Sequence, residues 1–259
     1  MPIIDTTVNR YIDSELIRLN DERSAKHEPS GKLSASMLYQ PVRFQLLKTL
    51  EAPRKAFDAY TLAKFKRGID VEEWYVSQLR GSGVLVEDKK TLEGLNLEIK
   101  DDKQAYATYK GTVGYVDSTI DTDKMQCKKG IIPNEIKSVT NMKMKRIKST
   151  GIDWHYKIQA CFYACAMGTD YYAVTIVSAE DLRSETHIFK TRDMKREVDN
   201  AITAYDKAVE NWEKNKVLPA FAPNPHVGWT ANIKYAMFEP EWVEKPDSWA
   251  IDQITKLNK

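Results

Sequence analysis

The sequence predicts an α/β protein in which a central mixed β-sheet is flanked by helices. The chain of 259 residues is long enough to bury one large core, and its hydrophobic content of 42% is typical of globular proteins. Helical and strand-like segments follow one another without an interior linker or repeat, which favours a single mixed domain. We therefore expect one domain over 1–259, with 1–33 as an N-terminal arm and 216–259 as a C-terminal extension.

The composition excludes membrane proteins and secreted proteins. The longest useful uncharged stretch, 158–169, has twelve residues, whereas a membrane-spanning helix needs about 20. The N-terminus carries Asp5, Asp13 and Glu15 and lacks the apolar segment of a secretory signal. We therefore expect no membrane association and a cytoplasmic location, which would be the host cytoplasm for a viral protein.

Helices are expected in the first third of the chain. Ser34 and Ser36 can cap a helix, and Pro41 must lie in the first turn of that helix or break it. A later helix ends where Gly81 begins a Gly-Ser-Gly run. The expected helices cover 8–26, 34–47 and 56–80.

Strand-like segments follow, with two further helices among them. Alternation or short apolar runs indicate the strands. Residues 153–167 instead have a helical spacing that ends at Gly168, a good helix C-cap, and a long charged helix is expected over 191–215. The expected strands cover 84–87, 95–100, 105–116, 131–137, 171–179 and 185–189.

Two carboxylates are expected to meet where two of these strands lie side by side. Asp117 ends one strand, and Glu135-Ile136-Lys137 lies on the next; alternation places Glu135 and Lys137 on one face. If the strands are neighbours, Asp117 and Glu135 converge, and with the Ile136 carbonyl they supply the hard oxygen ligands that Mg²⁺ prefers. Lys137 could orient or deprotonate a water. The chemistry expected is metal-assisted phosphodiester hydrolysis.

The same three residue types occur once more, at Glu98-Ile99-Lys100. A Glu-x-Lys pattern alone is typical of a solvent-facing charge pair. Two features favour the later copy: a Gly-x-x-Asp pattern that begins at Gly114, and a following helix on which Gln159 and Tyr163 share one face through their i,i+4 spacing.

With Asp117, Glu135-Ile136-Lys137 and Gln159-x-x-x-Tyr163 in this order, the chain resembles the PD-(D/E)XK nuclease superfamily, in particular its RecB-like and lambda-exonuclease-like branches. The resemblance covers roughly residues 34–190. It implies a restriction-endonuclease-like core in which the Asp and Glu bind Mg²⁺, with Mn²⁺ as the alternative. It also implies that the Lys is catalytic and that the Gln and Tyr line a DNA channel.

The same resemblance points to further residues. Gly68-x-x-x-Glu72 matches a helix that precedes the sheet in this family, which implies Glu72 as an additional metal or water ligand, although the adjoining Glu73 could take this part. Arg43 lies on the early helix, where lambda-exonuclease-like proteins hold a phosphate, and is expected to bind DNA. A basic run ahead of the Gln159 helix is expected to touch the DNA backbone. This run consists of Lys143, Lys145, Arg146 and Lys148.

The chain departs from the family at two points. Seventeen residues separate Asp117 from Glu135, more than in the tight family hairpin, and Asp121 and Asp123 among them are expected at the hairpin tip. Several relatives hold an iron–sulfur cluster through late cysteines, but none follows Cys165 here, so no cluster is expected. The three cysteines are expected to be reduced thiols.

The resemblance implies a Mg²⁺-dependent deoxyribonuclease, with an exonuclease of phage-type recombination or DNA processing favoured. Two alternatives stay open: an endonuclease on the same fold, and a nucleic-acid-binding protein that keeps the fold without activity. A non-catalytic protein would have no chemical need for Lys137, which argues against the second alternative. The expected partners are DNA and, beyond it, a second copy of the chain or a single-strand-annealing protein.

Overall fold

The computed structural model describes residues 7–25, 31–100, 104–227 and 238–257. Within these ranges the helices are α1 (Thr7–Ala25), α2 (Val42–Thr49), α3 (Ala59–Gly81), α4 (Lys89–Gly94), α5 (Asn141–Thr150), α6 (Trp154–Met167), α7 (Lys195–Asn215), α8 (Glu241–Glu244) and α9 (Asp247–Leu257). The strands are β1 (Leu97–Lys100), β2 (Gln104–Tyr109), β3 (Thr112–Val116), β4 (Ser118–Asp121), β5 (Ile131–Val139), β6 (Tyr171–Ser178) and β7 (Ser184–Lys190).

The strands form two sheets, and helices cover them in a mixed α/β architecture, as predicted. Strands β1, β2 and β3 form an antiparallel sheet, here called the outer sheet. Strands β4, β5, β6 and β7, in that order, form the central sheet. Its β5–β6 pair is parallel and its other two pairs are antiparallel. The predicted central mixed sheet is therefore confirmed, and the outer sheet is separate from it because the chain bends at Asp117 between the two sheets.

Helices α3 and α6 pack on opposite faces of the central sheet. On one face, Ile136 and Val177 pack with Val71 of α3. On the other face, Val174 of β6 belongs to the main hydrophobic core together with Phe162 of α6. Since both faces are covered, the parallel strand β6 is almost continuously apolar.

A row of polar side chains crosses the central sheet on its α3 face. The hydroxyls of Thr186 on β7 and Thr175 on β6 are 2.9 Å apart, and Thr175 Oγ1 donates to Asn134 Oδ1 on β5 at 2.7 Å. Asn134 Nδ2 in turn donates to Ser118 Oγ on β4 at 3.0 Å. Buried polar groups need such partners, so this polar row favours one register of the four strands.

Pro41 divides the helix that the sequence predicts over 34–47. A 3₁₀ turn covers Ala35–Met37, and α2 begins at Val42, directly after the proline. Proline lacks an N–H and has a fixed φ, so it fits the start of a helix but not its interior. The sequence allowed Pro41 either in the first turn of this helix or at a break in it, and the structure shows the break.

The strand predicted over 105–116 is a hairpin of β2 and β3. Lys110 and Gly111 join the two strands with φ angles of 47° and 77°. Two consecutive residues at positive φ form the tight turn that matches the twist of a hairpin. Asn or Asp usually precedes the glycine in such a turn. Because Lys110 stands there instead, the sequence gives no clear signal for the hairpin.

The other predicted elements occur with shifted ends, except for residues 84–87. These residues run alongside β4, with Val86 N donating to Thr119 O at 2.8 Å, but form an isolated bridge instead of a strand. The expected helix over 191–215 begins as a 3₁₀ turn before α7. Most of the polar break at 26–31 lies outside the described residues. None of the described helices is long and apolar enough to span a bilayer.

Candidate active site

Asp117 and Glu135 lie across from each other at the end of the β4–β5 pair. Ser118 is the register partner of Asn134, and continuing this antiparallel ladder by one residue places 117 opposite 135. The Ile136 N–H donates to Asp117 Oδ2 at 2.8 Å, which holds the carboxylate against β5. The structure thus brings the two carboxylates together.

Glu135 is fully buried. Its carboxylate forms an ion pair with Lys137 Nζ, and its Oε2 has no hydrogen-bond donor within the described part of the chain. Burial, and then the neighbouring Asp117, raise the pKa of Glu135 above its ordinary value. A buried carboxylate oxygen without a donor is costly, so this atom marks a place where a cation would be stabilising.

Lys137 is the cation of this site. Burial acts to lower the pKa of Lys137, but Glu135 and Asp117 outweigh burial and raise it above its ordinary value. The side chain therefore carries an ammonium group at neutral pH, which donates hydrogen bonds and cannot accept a proton. Of the two roles that the sequence left open, this charge state favours orienting a water over deprotonating it.

Glu72 on α3 is the glutamate that the structure brings toward these groups. Glu72 is half-buried, whereas Glu73 is exposed. Burial, and then the charge of Asp117, raise the pKa of Glu72 to about 7. A carboxyl group whose pKa lies near neutral pH can both accept and release a proton there, which suits proton transfer.

The donor set fits a hard divalent cation held by two carboxylates. Among the described residues, no group of three or more His, Cys, Asp or Glu side chains is arranged to hold a metal ion. Asp117 and Glu135, with the Ile136 carbonyl, would therefore leave further positions to water or to a substrate phosphate. Mg²⁺ commonly binds in this way, through one or two carboxylates plus water and phosphate.

Gln159 and Tyr163 lie on α6 behind the carboxylates. Gln159 Nε2 donates to Tyr163 Oη at 3.5 Å. Burial, and then the charges of Glu135 and Asp117, raise the pKa of Tyr163 well above its ordinary value. Both side chains are at most 9% exposed, which fits support of the site better than an open DNA-binding surface.

Gly114 makes room for this tyrosine. A Cβ atom at position 114 would lie 3.0 Å from Tyr163 Cε1 and 2.8 Å from Ala35 Cβ, closer than carbon atoms normally approach. The glycine of the Gly-x-x-Asp pattern is therefore required by the packing of β3 against α6.

The predicted basic run lies on α5, directly after β5. Lys143 Nζ donates to Tyr156 Oη at 2.6 Å and pairs with Asp153 at 3.0 Å. The ring centroid of Tyr156 lies 4.6 Å from Lys143 Nζ and 5.9 Å from Lys137 Nζ. The N-terminal end of the basic run is therefore adjacent to the site.

The rest of the basic run is more exposed. Arg146 pairs with Asp153 and Lys148 with Glu185, yet both cationic side chains keep 56% of their surface in solvent, and Lys145 is exposed. These acidic partners reduce the net charge of α5. The basic run is nevertheless accessible to a polyanion.

Arg43 is placed elsewhere, which corrects the expectation that it binds DNA. Its side chain is 3% exposed and donates to Trp242 O at 3.1 and 3.0 Å and to Pro219 O at 3.0 Å. It also pairs with Asp247 at 2.8 Å. A buried guanidinium needs such acceptors, so Arg43 fastens the C-terminal segment to α2.

A cavity beside β3 collects polar groups that the sequence analysis did not connect with the site. Its volume is about 590 Å³, and it lies between the outer sheet and the chain around α2. Lys48 Nζ donates to Ser34 Oγ at 2.9 Å, and Ser34 Oγ lies 3.2 Å from Ser36 Oγ. Burial, and then the charge of Arg54, lower the pKa of Lys48. An anion in this cationic cavity would be stabilised.

One signal in the sequence could have indicated the cationic cavity. Ser34 and Ser36 were interpreted as helix N-caps, but the side chain of Ser34 makes no capping hydrogen bond. Two hydroxyls in front of a turn, followed by a lysine on the next helix, are the pattern that corresponds to this cavity.

No protein-family model matches the chain, and no curated protein matches its sequence. Several solved structures are similar in fold. SSO0001 is 14% identical over 76% of this chain and 86% of its own, with a TM-score of 0.40. The alkaline exonuclease LHK-Exo from Laribacter hongkongensis is 10% identical over 78% and 97%, with a TM-score of 0.43. LHK-Exo in complex with dAMP is 14% identical over 72% and 93%, with a TM-score of 0.47. At these TM-scores the similarities do not identify the activity of this chain.

Proposed function

We propose that this chain is a divalent-metal-dependent deoxyribonuclease. The observation that carries the proposal is the meeting of Asp117, the buried Glu135 and the charged Lys137 at one point of the central sheet. Glu135 Oε2 lacks a donor in the described chain, which is consistent with binding of Mg²⁺ or Mn²⁺. When bound, such an ion polarises a phosphoryl oxygen and lowers the pKa of a coordinated water.

The residues of the chain have separate parts in this proposal. Asp117 and Glu135 hold the ion at a fixed place, because the Ile136 N–H and the ion pair with Lys137 orient them. The Lys137 ammonium donates to the attacking water and offsets the negative charge that develops on the phosphorus centre. Glu72, with its pKa raised to about 7, accepts the proton of that water.

We further propose that the enzyme degrades DNA from its ends. The cationic cavity takes the part that the sequence assigned to Arg43, since Lys48 and Arg54 line it together with the hydroxyls of Ser34 and Ser36. A terminal phosphate monoester carries a charge of about −1.5 to −2 at neutral pH, more than an internal phosphodiester. The cavity therefore favours a DNA end over the interior of a strand.

The test compares three DNA substrates in Mg²⁺ and in EDTA. These are a linear duplex with terminal phosphates, the same duplex with terminal hydroxyls, and a covalently closed circle. We expect rapid degradation of the phosphorylated linear duplex, slower degradation of the other linear duplex, an intact circle, and no cleavage in EDTA. Lys48→Met should remove the preference for phosphorylated ends. The control Lys89→Met, on exposed α4, should keep it.

Each alternative has its own outcome in this test. Nicking or linearisation of the closed circle at a matched enzyme concentration would make the protein an endonuclease and overturn the end preference. DNA binding without cleavage in either Mg²⁺ or Mn²⁺ would make it a non-catalytic binding protein and overturn the nuclease proposal.

A further inference from the structure

The outer sheet carries an aromatic pair on the face opposite to its buried side. Tyr106 on β2 and Tyr115 on β3 are direct cross-strand partners, and their ring centroids are 5.1 Å apart with an angle of 64° between the rings. Tyr115 is 44% exposed. The alternate residues Ala107 and Val116 are buried, so the core is filled without the two tyrosines.

Cationic groups lie around this aromatic pair. Lys100 Nζ is 3.8 Å from the ring centroid of Tyr106, and both rings border the same cavity as Lys48 and Arg54. Glu98 is the acidic partner of Lys100 at 3.7 Å, with 65% of its side chain in solvent, and such exposed pairs are weak. Aromatic faces for bases and cations for the backbone are the two features of sites that hold single-stranded nucleic acid.

The position of Tyr115 connects the aromatic pair with the carboxylates. Tyr115 precedes Asp117 by two residues, so their Cα atoms are at most about 7 Å apart. This separation is close to the length of one nucleotide in an extended strand. A base on Tyr115 would therefore belong to a nucleotide next to the phosphodiester at Asp117 and Glu135.

We infer that Tyr106 and Tyr115 form a stacking platform that holds an unpaired nucleobase beside the scissile phosphodiester. The inference rests on the proposed nuclease function and specifies its substrate. Within a duplex both faces of every base except the terminal one are covered by neighbouring bases, so a base next to the terminus can stack on Tyr115 only after its strand has separated. The species that occupies the site is therefore a single strand or a frayed end.

The test measures stacking in EDTA, so that it does not depend on cleavage. A short single-stranded oligonucleotide carries 2-aminopurine next to its terminus, and its fluorescence falls when the base stacks on an aromatic ring. We expect strong quenching with the unmodified protein. In Tyr115→Leu we expect loss of that quenching and binding about 5- to 100-fold weaker. Tyr115→Trp should keep both.

Tyr60→Leu is the matched control. Tyr60 is 69% exposed on α3, and Lys64 Nζ lies 4.0 Å from its ring centroid, so it shares the exposure and the neighbouring cation but not the position. We expect its quenching and affinity to equal those of the unmodified protein. Thermal melting of both leucine variants checks that they fold. If Tyr115→Leu does not fold, the Tyr115→Trp variant is the remaining test, and loss of quenching in that variant would overturn the inference.

The outcomes separate this inference from the proposed function. Unchanged quenching and affinity in Tyr115→Leu would overturn the platform while metal-dependent cleavage by the unmodified protein still supports the nuclease. Tyr115-dependent quenching without cleavage in Mg²⁺ or Mn²⁺ would support the platform and overturn the nuclease. Absence of quenching with the unmodified protein would overturn the platform.

Discussion

Two Glu-Ile-Lys tripeptides, beginning at Glu98 and at Glu135, occupy different surroundings in this molecule. Glu98 lies on β1, an edge strand of the outer sheet, and its side chain is 65% exposed beside Lys100. Glu135 lies on β5, between two other strands, and is fully buried beside Lys137. Water screens the first ion pair, whereas the second is desolvated and its charges act strongly on their neighbours.

The residue opposite each glutamate adds to this difference. Glu98 pairs across the sheet with Tyr106, which offers no second negative charge. Glu135 faces Asp117, whose negative charge raises the pKa of Glu135. The same three residues thus give an exposed ion pair in one sheet and a buried ion pair beside a second carboxylate in the other. Burial and the opposite strand decide between these outcomes.

The strongest test of the comparison removes one carboxylate at a time. Asp117→Asn and Glu135→Gln should each reduce Mg²⁺-dependent cleavage on the order of 10³-fold, because the ion loses one of its two carboxylate ligands. The control Glu98→Gln should stay within about twofold. Initial rates on end-labelled linear DNA measure the effect. An equal loss from Glu98→Gln would place the site at the other tripeptide.

The two lysines should differ in the kinetic constant that they affect. Lys137→Gln should lower kcat by about 10²- to 10³-fold, because its ammonium acts on the charge that develops during the reaction. Lys100→Gln should raise KM and leave kcat unchanged, because Lys100 contacts the ring of Tyr106 and its ion-pair partner is the exposed Glu98. Steady-state kinetics on a short oligonucleotide separate the constants. A fall in kcat for Lys100→Gln would contradict the assignment.

The buried tripeptide should make stability depend on pH. The pKa is raised to about 7 for Glu72 and to about 8 for Glu135 in the folded state, so between about pH 4.5 and 8 the metal-free folded protein binds more protons than the unfolded chain. The free energy of unfolding therefore falls as pH rises through this window, and each unit of pKa shift corresponds to about 1.4 kcal/mol.

An ion bound at the proposed site would compete with these protons, and this competition can be measured. Thermal unfolding at pH 5.5 and pH 8 should show a larger stabilisation by Mg²⁺ at pH 8. Glu135→Gln should reduce both the pH dependence and the response to Mg²⁺, whereas Glu98→Gln should keep both. Stability of the metal-free protein that rises with pH over this window would show that the carboxylates are not held as described.

The smallest expected effect concerns two glycines: Gly114, which precedes Asp117, and Gly94, which precedes the exposed tripeptide at Glu98. Gly114→Ala places a Cβ against Ala35 and Tyr163 and should lower the free energy of unfolding by about 1–3 kcal/mol. Gly94→Ala, ahead of the exposed tripeptide, meets no atom within 4 Å and should change it by less than about 0.5 kcal/mol. Urea denaturation measures both. Equal stability of the two variants would contradict the close packing at Gly114.

The convergence of Asp117 and Glu135 could be predicted from the sequence, because it depends on two short-range rules. A strand alternates its faces, and strands joined by one loop tend to be neighbours. The identity of the buried tripeptide depends instead on α3 and α6, which pack on the central sheet. The sequence indicated it only indirectly, through the glycine at 114 and the pair Gln159 and Tyr163.

Other features depend on contacts between distant parts of the chain and could not be predicted. The acceptors of Arg43 lie 176 and 199 positions later, so local sequence does not distinguish this buried arginine from one that binds DNA. Lys48 and Arg54 line a cavity only because the outer sheet forms its other side. The break at Pro41 was one of two placements that local rules allow.

The polar row across the central sheet has a consequence for how the molecule tolerates acid. A one-residue slip of β5 would turn Glu135 to the opposite face, and the side chains that oppose such a slip are hydroxyls and an amide, from Ser118 to Thr186. These groups neither gain nor lose protons in the range where the carboxylates titrate. Strand alignment and site charge thus respond independently to pH, so protonation of the carboxylates would be reversed on neutralisation without a change of strand register.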